Sequence, residues 1–366
     1  MLGHLGFPVE LSRGRRYPES GHPYRNAFQR DRDRIVHTRA FRRLENKTQV
    51  FSAGVSDHFR NRLTHTIEVS QIARTVANVL GLDEDLTEAL ALVHDLGHPP
   101  FAHAGEEALN RRMQRFGERF DHNIQALRIV ESLEKRYPRF DGLNLTFEVR
   151  EGIVKHSRDF ALGEIPELDE YLPGLRPPLE AQLIDLADEV AYNAADLDDA
   201  YEAGMLTPEQ IAAAVPVYAD LLDTIETQFP GATERERFQE SVRQLIDDLV
   251  SGFIKGTVDA VNEAGVKDFE SVRHHPTRLA RFTSEVRATS VQIKGLLLTR
   301  VYLSEDLEQE RRESIVKLDR MFDYLLEHSD GMCGAKPASA APRDVCNFIA
   351  GMTDRYFLRL YDTLFA

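Results

Sequence analysis

The spacing of apolar residues constrains the fold of this chain more than any other feature. From residue 63 to residue 80 the apolar positions recur mostly at steps of three to five: Leu63, Ile67, Ile72, Val76, Val79 and Leu80. This period is typical of a helix with one buried face, and Gly81 stands where a helix C-cap is expected. Asp83 is placed to cap a second helix that stops at Gly97. No alternating strand pattern of useful length is present, so we expect an all-α fold.

Further helix signals continue to the end of the chain. Helices are expected at about 104–113, 122–136 and 145–157, and one behind Pro177-Pro178 carries apolar residues at helical steps. Thr207-Pro208-Glu209-Gln210 has the spacing of a capping box, with proline at the first helical position. Breaks are expected near Gly256, at His275-Pro276 and over 331–342.

Charge and composition exclude several classes of protein. The net charge of −15 over 366 residues argues against a surface that binds nucleic acid as a whole. The chain has two cysteines and no apolar stretch near the roughly 18 residues that a membrane span needs. We therefore expect a cytoplasmic protein without a membrane segment. Residues 25–47 are a basic segment in this acidic chain, with the cations Arg25, Arg30, Arg32, Arg34, Arg39, Arg42, Arg43 and Lys47.

Histidines and aspartates stand together where the second helix is interrupted. His94-Asp95 precedes Gly97, and His65 and Asp188 lie on two other predicted helices. Two imidazoles and two carboxylates suit Mn²⁺, Fe²⁺ or Zn²⁺, with Mg²⁺ as another candidate. Taken singly, a His-Asp pair is more often a helix-end hydrogen bond, and Asp188 is one of several acids on its helix. Together with the proline-containing loop after Gly97, the set favours a metal site.

The loop and four other motifs resemble one family. The run from His94 to Glu106, HDLGHPPFAHAGE, is similar to that of the deoxyguanosine-triphosphate triphosphohydrolases, the dNTPase branch of the HD superfamily. Other segments share the resemblance over most of the chain: Phe41–Leu44, Lys47–Phe51, Asn61–His65 and Gly351–Tyr356. The resemblance implies an all-α HD-domain phosphohydrolase with additional C-terminal helices. Its reaction would convert a dNTP and water to deoxynucleoside and triphosphate, by metal-assisted attack of water on the α-phosphorus.

The resemblance also assigns the metal and proton-transfer residues. The metal ligands would be His65, His94, Asp95 and Asp188, holding Mn²⁺ or Mg²⁺. His103 is similar to the family's catalytic histidine, and Glu106 follows three residues later, on the same helix face. We expect the two to form a dyad, with the role of His103 as acid or base left open. His122 resembles a histidine that contacts the phosphates.

Substrate contacts are implied at six positions. Gln49 is similar to a glutamine near the sugar 3′ hydroxyl, which favours deoxy substrates, and Arg62 lies one helical turn before His65, where its fork can bind phosphate oxygens. Tyr192 and Asp196 share a helix face with Asp188 and match contacts to the phosphate tail and the deoxyribose. Near the end of the chain, the remaining two are Arg355 and Tyr356.

The sequence also predicts an organisation and partners. We expect an irregular arm at 1–24, an HD catalytic core at 25–205 and a C-terminal helical region at 206–366 packed on that core. The resemblance implies a homo-oligomer, and the basic segment with its aromatic residues suggests single-stranded DNA as an additional partner. An HD-type nucleoside 5′-monophosphate phosphatase or phosphodiesterase is the alternative enzyme, and a nucleotide-sensing module is a third reading.

Overall fold

A computed structural model describes residues 1–51, 59–328 and 341–365 of the chain. The predicted all-α fold is confirmed, because pairing between extended segments in these residues is limited to isolated bridges. No described helix is both long and apolar enough to cross a membrane. The helices are α1 Ala27–Val36, α2 Arg39–Arg43, α3 Arg62–Leu80, α4 Glu84–Val93, α5 Ala102–Gln114, α6 His122–Arg128, α7 Phe147–Lys155, α8 Leu179–Glu202, α9 Pro208–Ala214, α10 Pro216–Gln228, α11 Glu234–Ala264, α12 Phe269–Arg273, α13 Ser284–Leu297, α14 Glu305–Glu327, α15 Pro342–Ala350 and α16 Asp354–Phe365.

Local signals placed several helix ends correctly. Gly81 adopts a φ of 81° directly after α3, as a left-handed C-cap residue does. The carboxylate of Asp83 accepts a hydrogen bond of 2.8 Å from the amide of Leu86 at the start of α4. Thr207 and Gln210 form the reciprocal capping box predicted for α9. These ends were predictable because each depends on residues three or four positions apart.

Three expectations about helix ends are wrong. Helix α4 stops at Val93, so His94 and Asp95 lie in the turn after it. Helix α6 ends at Arg128 and gives way to a π-helical turn. Helix α11 runs through Gly256 without a break. A Cβ at this position would lie 2.4 Å from the carbonyl oxygen of Arg281, so the glycine admits a neighbouring backbone. Most of the break expected over 331–342 lies outside the described residues.

The chain divides into two compact units, and the first consists of residues 1–32, 65–92 and 146–304. Its helices α8, α11 and α13 pack on one another. The amide of Asn193 on α8 donates a 2.8 Å hydrogen bond to Ser290 Oγ on α13. A Cβ on Gly252 of α11 would meet the side chain of Val286 at 2.2 Å, so this helix pair is in close contact. Helix α8 is thereby fixed on two sides.

The second unit consists of residues 33–64, 93–145 and 305–366. Its core joins α5 to α14, α15 and α16 through buried apolar side chains, among them Leu109, Met113, Phe322, Ile349 and Phe357. Arg112 of α5 forms a 2.7 Å salt bridge with Asp319 of α14. Arg115, the residue after α5, forms a 2.8 Å salt bridge with Asp323. Helix α5 is therefore held by segments about two hundred residues later in the chain.

The close approach at Gly256 predicts a measurable loss of stability. Gly256→Ala should lower the free energy of unfolding by about 1–3 kcal/mol, because the added methyl group meets fixed backbone. Gly295→Ala on α13 is the matched control, since a Cβ there meets nothing within 4 Å. It should be neutral or stabilising by about 0.5–1 kcal/mol. Urea denaturation checks both, and equal stability of the two variants would contradict the prediction.

Candidate functional site

The turn after α4 concentrates buried charge around Asp95. Its two carboxylate oxygens face different partners: Arg62 Nη1 donates to Oδ2 at 2.7 Å, and His98 Nε2 lies 3.2 Å from Oδ1. His94 Nε2 is 3.5 Å from Oδ1. Burial acts to raise the pKa of Asp95, but the charges of His94 and Arg62 outweigh it and hold this pKa well below its usual range. Asp95 is therefore an ionised, oriented carboxylate.

His65 and Asp188 form a second imidazole–carboxylate pair, within the first unit. His65 Nε2 lies 2.8 Å from Asp188 Oδ1, and the histidine is 1% exposed. One helical turn before Asp188, burial and the neighbouring Asp188 charge raise the pKa of Asp185 to about 6. The accumulated negative charge at this end of the pair favours a bound cation.

These two pairs fit the chemistry of a divalent metal. Each offers one imidazole nitrogen and one carboxylate oxygen, the donor types that Mn²⁺, Fe²⁺ and Zn²⁺ accept. The His65–Asp188 hydrogen bond is compatible with that role, because metal binding replaces the proton on a ligating imidazole nitrogen. Arg62, buried at 3% exposure, orients Asp95 from behind as outer-shell partners of metal ligands do.

Glu106 on α5 pairs with His122 rather than with His103. Its Oε1 lies 2.9 Å from His122 Nδ1 and also accepts a 3.0 Å hydrogen bond from the His122 amide. The nearest approach of His103 to Glu106 is 4.0 Å, and the His103 side chain is 86% exposed. The expected His103–Glu106 contact, at 4.0 Å, is therefore longer than the His122–Glu106 contact, at 2.9 Å. His103 is left accessible at the first turn of α5.

The Glu106–His122 contact favours a carboxylate beside a protonated imidazole. Burial acts to lower the pKa of His122, but the hydrogen bond and charge of Glu106 outweigh it and raise that pKa. Conversely, burial acts to raise the pKa of Glu106, and His122 lowers it to about 2. The stability that the pair contributes is lost as pH rises through the raised His122 pKa and as pH falls toward 2. Between these limits His122 presents a positive charge.

His98 lies against this cation as a neutral ring. The imidazoles of His98 and His122 stack with centroids 4.0 Å apart. Burial, and then the charge of Arg62, hold the pKa of His98 well below its usual range. A second positive charge is thereby kept away from His122, which leaves one cationic and one neutral imidazole side by side.

The backbone at the start of α5 is strained. Phe101 and Ala102 have φ values of 64° and 51°, a left-handed conformation that costs a non-glycine residue about 1–3 kcal/mol. Gly97 and Gly105 allow the chain to fold this tightly, since a Cβ on them would lie 1.8 Å from the oxygen of His122 and 1.9 Å from that of Pro100. The strained turn sets the direction in which α5 begins, and so the position of His103.

On α8, two residues absent from the sequence prediction accompany the predicted ones. Tyr302 donates a short hydrogen bond to Asp196. Lys294 Nζ lies 5.3 Å from the ring centroid of Tyr192 and 2.8 Å from a carboxylate oxygen of Glu189. Tyr302 and Lys294 lie about a hundred residues after their partners, so no local spacing signals them.

The remaining predicted substrate contacts lie in the second unit. Gln49 Oε1 is buried without a hydrogen-bond partner among the described residues, which fits a group that binds a ligand. Arg355 is exposed at the start of α16. Tyr356 is partly buried against the core of this unit, with Arg359 5.4 Å from its ring centroid.

Several basic side chains of the segment 25–47 form hydrogen bonds and ion pairs within the protein. Arg34 Nη1 donates to the carbonyl oxygens of Leu143 and Asn144, and Arg43 Nη1 donates to that of Gly351 at 2.6 Å. Arg32 contacts Glu88 at 3.1 Å. Lys47 is buried, and burial lowers its pKa to about 7 despite the attraction of Asp354. These cations have internal partners, which is the reason that so many of them occur here.

Comparisons with known proteins bear on the same residues. Residues 62–193 match the HD domain family, a span that includes His65, His94, Asp95 and Asp188, and residues 280–363 match the phosphohydrolase-associated domain. The chain is 43% identical to a deoxyguanosinetriphosphate triphosphohydrolase-like protein of Geobacter sulfurreducens, over 97% of this chain and 92% of the relative. A protein of the same description from Ralstonia nicotianae is 45% identical over the same shares, and one from Azoarcus is 44% identical over 97% and 94%.

The ion pair on α5 predicts a shift in a histidine titration. Glu106→Gln removes the charge that stabilises the His122 imidazolium, so the pKa of His122 should fall. Imidazole resonances followed by NMR across pH measure this. Glu107→Gln changes the neighbouring exposed carboxylate, which pairs with Arg311 instead, and should leave the titration unchanged. An unaltered His122 titration in Glu106→Gln would refute the pairing.

Proposed function

The chain belongs to the deoxyguanosinetriphosphate triphosphohydrolase-like family, and we propose from this that it hydrolyses deoxynucleoside triphosphates to deoxynucleoside and intact triphosphate. The observation that carries the proposal is the Glu106–His122 ion pair close to the oriented carboxylate of Asp95. It supplies a fixed positive charge for a polyanionic substrate and leaves the exposed His103 free to transfer protons.

We propose that His65, His94, Asp95 and Asp188 bind one divalent ion, Mn²⁺ in the first instance and Mg²⁺ as the alternative. When bound, such an ion lowers the pKa of a water and neutralises phosphate charge. Asp95 is ionised before any ion arrives, because Arg62 and the neighbouring histidines stabilise its charge. Asp95 therefore does not have to lose a proton before it can bind the ion.

The proposed reaction requires one proton transfer at each end. A water oxygen bonds to the α-phosphorus and gives up a proton, the bond from that phosphorus to the 5′ oxygen breaks, and the departing alkoxide takes up a proton in its place. His103, accessible at the first turn of α5, exchanges the proton. His122, held positive by Glu106, stabilises the charge that develops on the phosphate oxygens.

The proposed sugar and phosphate contacts extend this arrangement. Asp196 accepts a hydrogen bond from Tyr302, which restrains its carboxylate, and we propose Asp196 as the contact to the deoxyribose. Gln49 would bind the 3′ hydroxyl with its unpartnered oxygen. Phosphate contacts are proposed for Arg62, Tyr192, Arg355 and Tyr356. The preference for deoxy over ribo substrates is proposed on the family resemblance at Gln49.

Other expectations from the sequence stay predictions. These are assembly into homo-oligomers, a cytoplasmic location, binding of single-stranded DNA, and the division into an arm, a catalytic core at 25–205 and a C-terminal region. The internal partners of Arg34, Arg43 and Lys47 reduce the charge available for DNA. Homo-oligomerisation can be measured by the mass of the protein in solution.

Product identity tests the reaction. Incubation with each dNTP and Mn²⁺ should yield nucleoside and triphosphate in equal amounts, and GTP should be turned over more slowly than dGTP. Chromatography that resolves triphosphate, pyrophosphate and phosphate checks this. Release of phosphate from nucleoside monophosphates, with dNTPs intact, would favour the phosphatase alternative instead. Comparable turnover of GTP and dGTP would contradict the sugar preference.

Two substitutions separate the metal ligands from the proton-transfer residue. Asp95→Asn should reduce bound metal and activity together, because it removes the ligand charge while keeping an oxygen for Arg62. His103→Ala should keep the metal and lower kcat roughly 10²-fold or more. Metal analysis and kinetics on the same preparations check both. Asp198→Asn, on α8 ten residues after Asp188, is the control and should change neither. Metal loss in His103→Ala would mean that ligand and proton donor have been exchanged.

A further inference from the structure

We propose that Asp354, the first residue of α16, is a positioning residue that holds two segments of the active site together; this rests on the proposed function. Its carboxylate accepts a 2.8 Å hydrogen bond from the amide of Thr48 at Oδ2 and a 3.1 Å hydrogen bond from the amide of Phe101 at Oδ1. One side chain thus joins backbone positions 53 residues apart in sequence.

Each of these amides adjoins a residue proposed to act on substrate. Thr48 precedes Gln49, the proposed contact to the sugar. Phe101 precedes α5 and is the first of two consecutive left-handed residues, and His103 follows two positions later. The Phe101 ring also packs edge-on against Phe357 of α16, with centroids 5.0 Å apart. Fixing the Phe101 amide therefore fixes the direction of the first turn of α5.

The simpler reading, that Asp354 caps its own helix, does not fit the contacts. Thr353 provides that cap, since its Oγ1 accepts a 3.2 Å hydrogen bond from the Tyr356 amide and its carbonyl accepts the Phe357 amide at 2.9 Å. Both oxygens of Asp354 contact amides outside α16. The carboxylate of Asp354 therefore binds the segments that contain Thr48 and Phe101, and does not cap α16.

Lys47 completes the connection from the other side. Its ammonium group donates to the carbonyl oxygens of His98 and Ala350, the latter at 3.1 Å. The turn from His98 to Phe101 is therefore held at both ends, by the buried amine of Lys47 and by the carboxylate of Asp354. All these contacts lie within the second unit.

The decisive variant is Asp354→Asn, because an asparagine of the same shape offers one acceptor oxygen where two amides need one each. We expect kcat to fall roughly 10- to 100-fold, because the turn that leads to His103 loses its anchor, and we expect any rise in KM from displacement of Gln49 to be the smaller effect. The amount of bound metal and the melting temperature of Asp354→Asn should stay close to those of the wild type. Asp362→Asn, an exposed aspartate on the same helix, is the matched control. A kcat within about 2-fold of that control, or a loss confined to KM, would overturn the proposal.

Hydrogen exchange provides a readout that does not depend on activity. Without substrate, amides of residues 98–106 should exchange faster in Asp354→Asn than in wild type or Asp362→Asn. Faster exchange in a protein whose wild type makes no triphosphate would retain the positioning role and reject the proposed function. Unchanged exchange, whatever the activity, would reject the positioning role.

A second substitution tests the link to the strained turn. Glycine adopts the left-handed conformation of Ala102 without penalty. Adding Ala102→Gly to Asp354→Asn should therefore recover roughly 3- to 5-fold in kcat relative to Asp354→Asn alone, whereas Ala102→Gly in the wild-type chain should bring no gain. Failure of the double variant to recover would contradict the view that the carboxylate holds a strained backbone.

Discussion

The buried ion pair between Arg62 and Asp95 is the interaction on which the rest of the site depends. Two charges removed from water are tolerated only when each finds a partner in good geometry, and a buried charge left alone costs several kcal/mol. Arg62 meets this requirement at 2.7 Å and is itself buried. Because it sits in the first turn of α3, one turn before His65, the same helix orients one predicted ligand and carries another. Removal of the arginine would leave Asp95 with only the neighbouring imidazoles of His94 and His98 as partners.

The two histidines near this pair respond differently to the charges around them. His98 is neutral because burial and Arg62 oppose its protonation, whereas His122 is charged because Glu106 outweighs burial. The two rings stack at 4.0 Å, yet their surroundings shift their pKa values in opposite directions. The surroundings of each imidazole therefore set its pKa, so that two residues of the same type differ in their tendency to carry a proton.

Local sequence patterns predicted much of the fold, because a cap or a helical period depends on residues a few positions apart. Gly81 and the box at Thr207 and Gln210 are examples. Gly256 misled the prediction, since glycine signals a helix break and a close backbone contact equally well. In the site, the motif resemblance identified Glu106 and His122 separately, but spacing favoured His103 as the partner of Glu106. The preference for His122, and the contact of Tyr302 with Asp196, arise from tertiary packing that no single-sequence period encodes.

The packing of α5 has a consequence for the order in which the protein matures. Its apolar face, with Leu109 and Met113, is covered by α14, α15 and α16, which are synthesised some two hundred residues later. An emerging chain cannot bury this face until residues 305–365 have left the ribosome, so the helix that bears His103 and Glu106 is among the last to acquire its final environment. Until those helices are made, the apolar side chains on this face of α5 have no partner to bury them.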